Sequence, residues 1–189
     1  MKTDIILAGV GGQGILSIAA IIAEAALEDG LFMKQTEVHG MSQRGGDVQS
    51  HLRISDQAIA SDLIPLGNAD IIISLEPMEA LRYLPYLKKD GWVVTNSIPF
   101  MNISIYPETE KIMEIYNMLP NKIIIDVEQI AKDLKAPRSG NVTLLGVASR
   151  YLPIDFFKLE NGLRRVFGKK GDNVVELNLK ALSAGAGKI

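Results

Sequence analysis

Two glycine-rich segments contain the groups best suited to binding an anion. The first, Gly9-Val10-Gly11-Gly12-Gln13-Gly14, fits G-x-G-x-x-G and lies between an apolar run at 3–8 and an apolar stretch at 15–27. Glycines permit positive φ and close backbone approach, and the N–H groups that open the following helix point at an anion with support from the helix dipole. The pattern predicts a strand, turn and helix with a phosphate or pyrophosphate site; the alternative is a tight turn that binds nothing.

The second segment is His39-Gly40-Met41-Ser42-Gln43-Arg44-Gly45-Gly46. The planar guanidinium of Arg44 suits phosphate or carboxylate, and Ser42 adds a hydrogen-bonding group. Gly45 and Gly46 allow the chain to approach another surface closely. We expect this segment near the end of the second strand, close to the glycine loop; the alternative is a flexible connection with a solvated arginine.

Glu37 would bind ribose hydroxyls if the glycine loop bound a dinucleotide. Two features oppose that interpretation. The second strand is followed by a loop and a further strand at 47–55 instead of a helix, and no Tyr stands four residues before a Lys. Glu37, His39 and His51 are too irregularly spaced to predict a metal site.

Strands alternate with helices along the chain, which predicts a mainly parallel sheet covered on both faces. Predicted strands are 3–8, 32–38, 47–55, 70–75, 92–96 and 122–127. Predicted helices are 15–27, 77–84, 108–119, 128–134, one capped by Ser139-Gly140-Asn141 and running to about Tyr151, 155–167 and 173–184. Asp90-Gly91 is predicted to be a turn and 185–189 a loose tail. We expect one α/β Rossmann-like domain over residues 1–189, with a β-hairpin-like insertion after strand two.

Composition limits the chemistry available to the chain. Its 189 residues include no cysteine, which excludes disulfides, thiol catalysis, thiolate zinc sites and cysteine-ligated iron–sulfur clusters within it. The net charge of −2 gives no general attraction to nucleic acid or to an anionic membrane. The N-terminal residues lack an export signal, and the apolar stretch at 15–27 is too short to span a bilayer, so a cytoplasmic protein is expected.

Taken together, these motifs resemble the gamma subunit, or gamma domain, of 2-oxoacid:ferredoxin oxidoreductases. The resemblance extends from residue 3 to about residue 151 and leaves the C-terminal part without a diagnostic match. Residues 38–46 most resemble the small subunit of indolepyruvate ferredoxin oxidoreductase, usually called beta. The matching segments are Ile6-Leu7-Ala8-Gly9-Val10-Gly11-Gly12-Gln13-Gly14, Arg44-Gly45-Gly46, Leu52-Arg53-Ile54-Ser55 and Asn141-Val142-Thr143-Leu144-Leu145-Gly146.

The resemblance implies an accessory subunit of an enzyme that oxidatively decarboxylates arylpyruvates to aryl-acetyl-CoA and reduces ferredoxin. The resemblance also implies that the larger alpha subunit carries thiamine diphosphate and the iron–sulfur clusters. This chain agrees with that division, since it has no cysteine and no Gly-Asp-Gly leading to a paired Asn. No catalytic residue is assigned to this chain.

The expected role of this subunit is to dock on the alpha subunit and to complete its site or its approach to CoA. Phosphate or a partner carboxylate would be received by Gly9, Gly11, Gly12 and Gly14. Gln13 would add a hydrogen bond and Arg44 a complementary charge. Two other functions remain open on the sequence: a stand-alone dinucleotide-binding oxidoreductase and a nucleotide-binding regulatory protein.

Overall fold

A six-stranded sheet forms the centre of the molecule. The computed structural model describes residues 1–39, 46–101, 103 and 105–188, apart from the side chain of His39. The strands are β1 (Lys2–Val10), β2 (Phe32–His39), β3 (Asp47–Ser55), β4 (Ala69–Ser74), β5 (Leu87–Asn96) and β6 (Lys122–Ile125). Their order across the sheet is β2-β3-β1-β4-β5-β6.

Only β3 runs against the other strands of this sheet. It pairs antiparallel with both β1 and β2, while the β1–β4, β4–β5 and β5–β6 pairs are parallel. The strand therefore inserts between β1 and β2, which would be parallel neighbours in a simple doubly wound fold. The expected mainly parallel sheet with a hairpin after strand two is confirmed.

Helices cover both faces of the sheet. Alternate residues of β1 point to opposite faces, so each face has apolar side chains for helices to cover. The helices are α1 (Ile15–Glu28), α2 (Pro77–Arg82), α3 (Thr109–Met118), α4 (Val127–Asp133), α5 (Gly140–Ala148), α6 (Phe156–Phe167) and α7 (Asp172–Ala186). Ile5 and Leu7 are buried in one core with α1, α5, α6 and α7. Ile6 and Ala8 are buried in the other with α2 and α3. None of the helices that the structure describes is long and apolar enough to cross a membrane.

Asp90-Gly91 does not form the predicted turn. Both residues lie inside β5, whose register against β4 is irregular between Ala69 and Ile71. A Cβ at position 91 would lie 2.7 Å from a methyl carbon of Leu87 and 3.1 Å from the carbonyl oxygen of Ala69. Close packing of Leu87 and Ala69 around this position therefore favours glycine. Inside a strand, glycine can mark an irregularity instead of a turn.

The predicted loose tail is also wrong for its first two residues, because α7 continues to Ala186. Packing stabilises this end, since Gly185 lies directly against the backbone of Thr143 in α5. Two other predicted helices are shorter than expected. The helix from Pro77 ends at Arg82, and α5 ends at Ala148, each before a short 3₁₀ segment.

Candidate functional site

The glycine loop connects β1 to α1, and the side chain of Gln13 holds it in place. Gln13 Oε1 accepts a hydrogen bond from the backbone N–H of Val10 at 2.7 Å, and its Nε2 donates to the carbonyl oxygen of Leu75 at 3.2 Å. These contacts join the loop to the end of β4. Both ends of the Gln13 amide thus bind within the protein. The hydrogen bond expected from Gln13 to a ligand stays a prediction.

Gly12 and Gly14 supply the backbone conformations that the loop requires. Their φ angles are +100° and +85°, in the left-handed region that favours glycine. Gly12 is exposed, and no atom lies within 4 Å of the position that its Cβ would take. At Gly14 a Cβ would lie 2.6 Å from Nδ2 of Asn141, which donates a hydrogen bond to the Gly14 carbonyl oxygen at 3.1 Å. The N-termini of α1 and α5 are therefore fixed side by side.

We call residues 39–46 the arginine segment and residues 9–14 the glycine loop. The last residue of the arginine segment contacts the glycine loop. The N–H of Gly11 donates to the carbonyl oxygen of Gly46 at 2.8 Å, and Asp47 pairs with Val10 in the β1–β3 ladder. The expected proximity of the two segments is confirmed for Gly46. Ser42, Arg44 and Gly45 lie outside the described residues.

A cleft of about 530 Å³ opens at the carboxyl ends of the parallel strands, and we call it the carboxyl-edge cleft. Ligands of open α/β sheets bind at this edge, where the chain turns from one side of the sheet to the other. Here that point is β1, with β3 on one side and β4 on the other. The lining residues include Gly12, Gln13, Asn96, Glu128, Arg138 and Asn141.

A second cleft of about 500 Å³ adjoins the first and shares Pro137, Arg138 and Asn141 with it. It lies among the helices, so we call it the helical cleft. Its wall also carries Lys135 and Lys170, which together with Arg138 make the region basic. Neither α1 nor α5 has a side-chain cap or an acidic residue in its first turn. No such group therefore offsets the positive end of either helix dipole.

Sequence reasoning did not select Lys135, Arg138 or Lys170 as site residues. A usable signal was present at Arg138, which directly precedes the start of α5 at Ser139 and Gly140. A cation is disfavoured near the positive end of a helix, and an anion bound between the two would offset that repulsion. Lys135 belongs to the same stretch as Arg138, residues 135–139, which lines the helical cleft. Lys170 has no comparable signal, because it reaches the cleft only through tertiary packing.

A buried acidic cluster anchors the start of β3 to α2. The Tyr83 hydroxyl donates to Oδ2 of Asp47 at 2.7 Å, and Nε of Arg82 donates to Oε2 of Glu79 at 2.8 Å. Burial raises the pKa of the Glu79 carboxyl; Arg82 opposes the shift and Asp47 reinforces it. Burial also raises the pKa of Tyr83, with the Asp47 hydrogen bond as the next cause, so the phenol remains a donor. The cluster fixes the strand that the arginine segment enters.

The position of Glu37 does not match that of the ribose-binding acid in a dinucleotide fold. It lies in β2, which β3 separates from β1, so it is about two strand spacings, roughly 10 Å, from the strand before the glycine loop. Glu37 Oε1 accepts a hydrogen bond from Nε2 of Gln35 at 2.5 Å. Within the described ranges, no group of three His, Asp or Glu side chains is arranged to hold a metal ion.

His51, the other histidine considered for a metal, is 4% exposed. Its Nδ1 accepts a hydrogen bond from the backbone N–H of Ile64 at 3.0 Å. This contact fixes the chain that crosses the sheet between β3 and β4. His51 is therefore a buried structural acceptor.

Comparison with known proteins agrees with this architecture. The sequence model of the pyruvate ferredoxin/flavodoxin oxidoreductase family matches residues 4–187. An indolepyruvate oxidoreductase subunit from Archaeoglobus fulgidus is 38% identical over 194 aligned positions, covering 98% of this chain and 94% of the relative.

Two solved structures share the fold. A pyruvate oxidoreductase subunit from Thermotoga maritima has a TM-score of 0.73 at 22% identity, covering 97% of this chain and 94% of its own. The 2-oxoglutarate:ferredoxin oxidoreductase from Magnetococcus marinus, solved with 2-oxoglutarate, coenzyme A and succinyl-CoA bound, has a TM-score of 0.76 at 24% identity. That match covers 98% of this chain but 30% of the other. With its family model matched from residue 4 to residue 187, this chain belongs to the pyruvate ferredoxin/flavodoxin oxidoreductase family.

Proposed function

We propose that this chain is the accessory subunit of an indolepyruvate:ferredoxin oxidoreductase. The observation that carries the proposal is the 38% identity to an indolepyruvate oxidoreductase subunit over nearly the full length of both chains. In the reaction, an arylpyruvate loses CO₂, its acyl group passes to the thiol of CoA, and two electrons pass to ferredoxin. The partner alpha subunit supplies thiamine diphosphate and the iron–sulfur clusters.

The residues of this chain are consistent with that division of labour. It has no cysteine to ligate a cluster. Its carboxyl-edge cleft is lined by backbone, amide, Arg138 and Glu128 rather than by a nucleophile with an adjacent base. The chain therefore binds and positions, while the bond-making steps occur on the partner's cofactor.

We further propose that the two clefts receive the phosphate groups of CoA. An extended anionic ligand can lie across both clefts, because they share Pro137, Arg138 and Asn141. Arg138 lies where the clefts meet, and Lys135 and Lys170 extend the positive charge. The exposed backbone at Gly12 leaves room for a phosphate beside the α1 N-terminus.

In this arrangement Gly9, Gly11, Gly12 and Gly14 shape the phosphate-binding turn. Arg44, with Ser42, Gly45 and Gly46, is proposed to add charge and contacts to the same ligand. The assignment for the arginine segment depends on the sequence and on the contact between Gly11 and Gly46.

Calorimetric titration of CoA into the reconstituted two-subunit complex tests this site. Because a hydrogen bond to a charged group contributes about 1.5–3 kcal/mol, Arg138→Ala should weaken CoA binding by at least about tenfold. 3′-Dephospho-CoA and free pantetheine serve as probes of which phosphates are recognised, and pantetheine binding should not respond to the substitution.

Arg164→Ala is the matched control, since Arg164 is exposed on α6 and lines neither cleft. It should bind CoA as the unsubstituted complex does. If the Arg138→Ala complex binds CoA with the same affinity as the unsubstituted complex, the proposal that the clefts receive the CoA phosphates is contradicted. Stoichiometric NAD or FAD copurifying with the isolated chain would instead favour a dinucleotide-binding enzyme.

A further inference from the structure

One exposed segment of this chain is uncharged and apolar. No charged residue occurs between Asp90 and Glu108, although charged residues make up 22% of the sequence. Five large apolar side chains within this stretch are 39–87% exposed. They are Ile98, Phe100, Met101, Ile103 and Ile105, and we call them the apolar loop. Several large apolar side chains exposed in one short segment indicate an interaction site.

Buried polar contacts hold both ends of the apolar loop. Glu76, which is fully buried, accepts hydrogen bonds from the backbone N–H of Phe100 at 3.4 Å and from the hydroxyl of Tyr106. Burial raises the pKa of the Tyr106 phenol, and its bond to the Glu76 carboxylate adds to the shift, so the phenol keeps the proton that it donates. These contacts fix the backbone at Phe100 and the side chain of Tyr106, while the five apolar side chains remain exposed.

The apolar loop begins at the wall of the carboxyl-edge cleft. Asn96 lines that cleft, and its Nδ2 donates to the carbonyl oxygen of Ile98 at 3.2 Å. The next residue is also fixed, because the N–H of Ser97 donates to the carbonyl oxygen of Ile125 at 3.0 Å. A macromolecule that covers the apolar loop thus lies beside the cleft and next to whatever the cleft binds.

The chain lengths of relatives favour one occupant. In the Magnetococcus marinus enzyme this fold takes up 30% of a longer polypeptide, so the covalent chain keeps it beside the rest of that subunit. The Archaeoglobus fulgidus relative, of which this chain covers 94%, is named a subunit, so surface contact holds that protein to the rest of its enzyme. We take the same kind of contact for the present chain. An uncharged apolar loop provides the buried core of such an interface, from which charged residues are depleted.

We propose that the apolar loop docks into an apolar, uncharged groove of the thiamine diphosphate-bearing partner subunit, next to the mouth of the carboxyl-edge cleft. This inference rests on the proposed function, because it takes the partner from it. The docking places the cleft ligand at the subunit boundary, where it can reach the partner's reaction centre.

The test is a binding titration between separately purified subunits. Ile103→Asp/Ile105→Asp introduces two charges at side chains that are 48% and 87% exposed in the free chain. We expect the dissociation constant to rise at least tenfold. Phe157→Asp is the matched control, because Phe157 is 66% exposed on α6, which packs against α1 on the other face of the sheet. It should bind the partner unchanged.

Thermal unfolding of each isolated variant checks that the fold is kept. If the unsubstituted chain binds the partner and the double variant binds equally well, the docking inference is overturned and the proposed function stands. If the unsubstituted chain does not bind any thiamine diphosphate-bearing subunit from its own cell, both are overturned. A double variant that abolishes self-association while retaining partner binding would identify a second copy as the occupant and overturn the inference.

Discussion

At the scale of single residues, buried polar groups in this chain fix loops against the sheet. Nδ1 of His51 accepts a hydrogen bond from the backbone N–H of Ile64. The imidazole ring packs edge-to-face with the ring of Tyr86, with 5.3 Å between the ring centroids. Burial lowers the pKa of His51, and Arg53 lowers it further, while Asp62 and Asp4 raise it. The folded state therefore favours the neutral imidazole, because protonation would replace the acceptor of this hydrogen bond with a donor.

This linkage predicts a specific dependence of stability on pH. A base whose pKa is lower in the folded than in the unfolded state stabilises the fold above its unfolded value, about 6.5, and loses that contribution as the pH falls below it. The free energy of unfolding, from urea titrations between pH 7.5 and 5.5, should therefore fall more steeply for the natural chain than for His51→Gln, which does not titrate there. Equal slopes for the two proteins would disprove this coupling.

At the scale of elements, the crossing of α5 and α7 depends on two glycines. A Cβ at Gly146 would lie 2.1 Å from the carbonyl oxygen of Leu182, and one at Gly185 would lie 2.1 Å from that of Thr143. Backbone blocks both positions, so an added methyl group forces the helices apart. We expect Gly146→Ala or Gly185→Ala to reduce the free energy of unfolding by about 1–3 kcal/mol or more, as overpacking does.

Gly168→Ala is the control for the helix-crossing prediction. Gly168 has right-handed helical angles of φ −52° and ψ −39°, and nothing lies within 4 Å of its Cβ position. Alanine there should be neutral or stabilising by up to about 1 kcal/mol, because it restricts the unfolded chain. Urea unfolding of the variants decides the matter: a Gly185→Ala protein as stable as Gly168→Ala would show that the crossing tolerates a methyl group.

The same elements explain where sequence reasoning succeeded and where it did not. Alternating polarity placed β3 at 47–55, the bounds it has in the structure, because period-two alternation is a local signal. Gly91 and Gly185 gave wrong predictions because glycine marks turns and helix ends locally. Here Gly91 lies inside a strand against the Leu87 side chain and the Ala69 backbone, and Gly185 lies against the backbone of Thr143 in a distant helix. The candidate site shows the same difference. The glycine loop is a local motif, while Lys170 reaches the helical cleft through the packing of separate helices.

At the scale of the whole molecule, structural and binding groups occupy different regions. The helices α1, α5, α6 and α7 pack one large core against the sheet, while the clefts and the apolar loop lie at or beside its carboxyl edge. In the proposed complex, a substitution within the clefts should affect the delivery of CoA. It should leave untouched the steps assigned to the proposed partner's thiamine diphosphate before CoA is needed.

Stopped-flow measurements on the reconstituted complex separate these two phases. Indolepyruvate mixed with the complex without CoA should reduce the proposed partner's iron–sulfur clusters at a rate that Arg138→Ala changes by less than about twofold, because the proposed function assigns no group of this chain to that step. The CoA-dependent phase should need at least tenfold more CoA for half its maximal rate, since one charge-assisted contact of about 1.5–3 kcal/mol is lost. Equal slowing of both phases would place Arg138 in the support of the partner's reaction centre instead of in CoA binding.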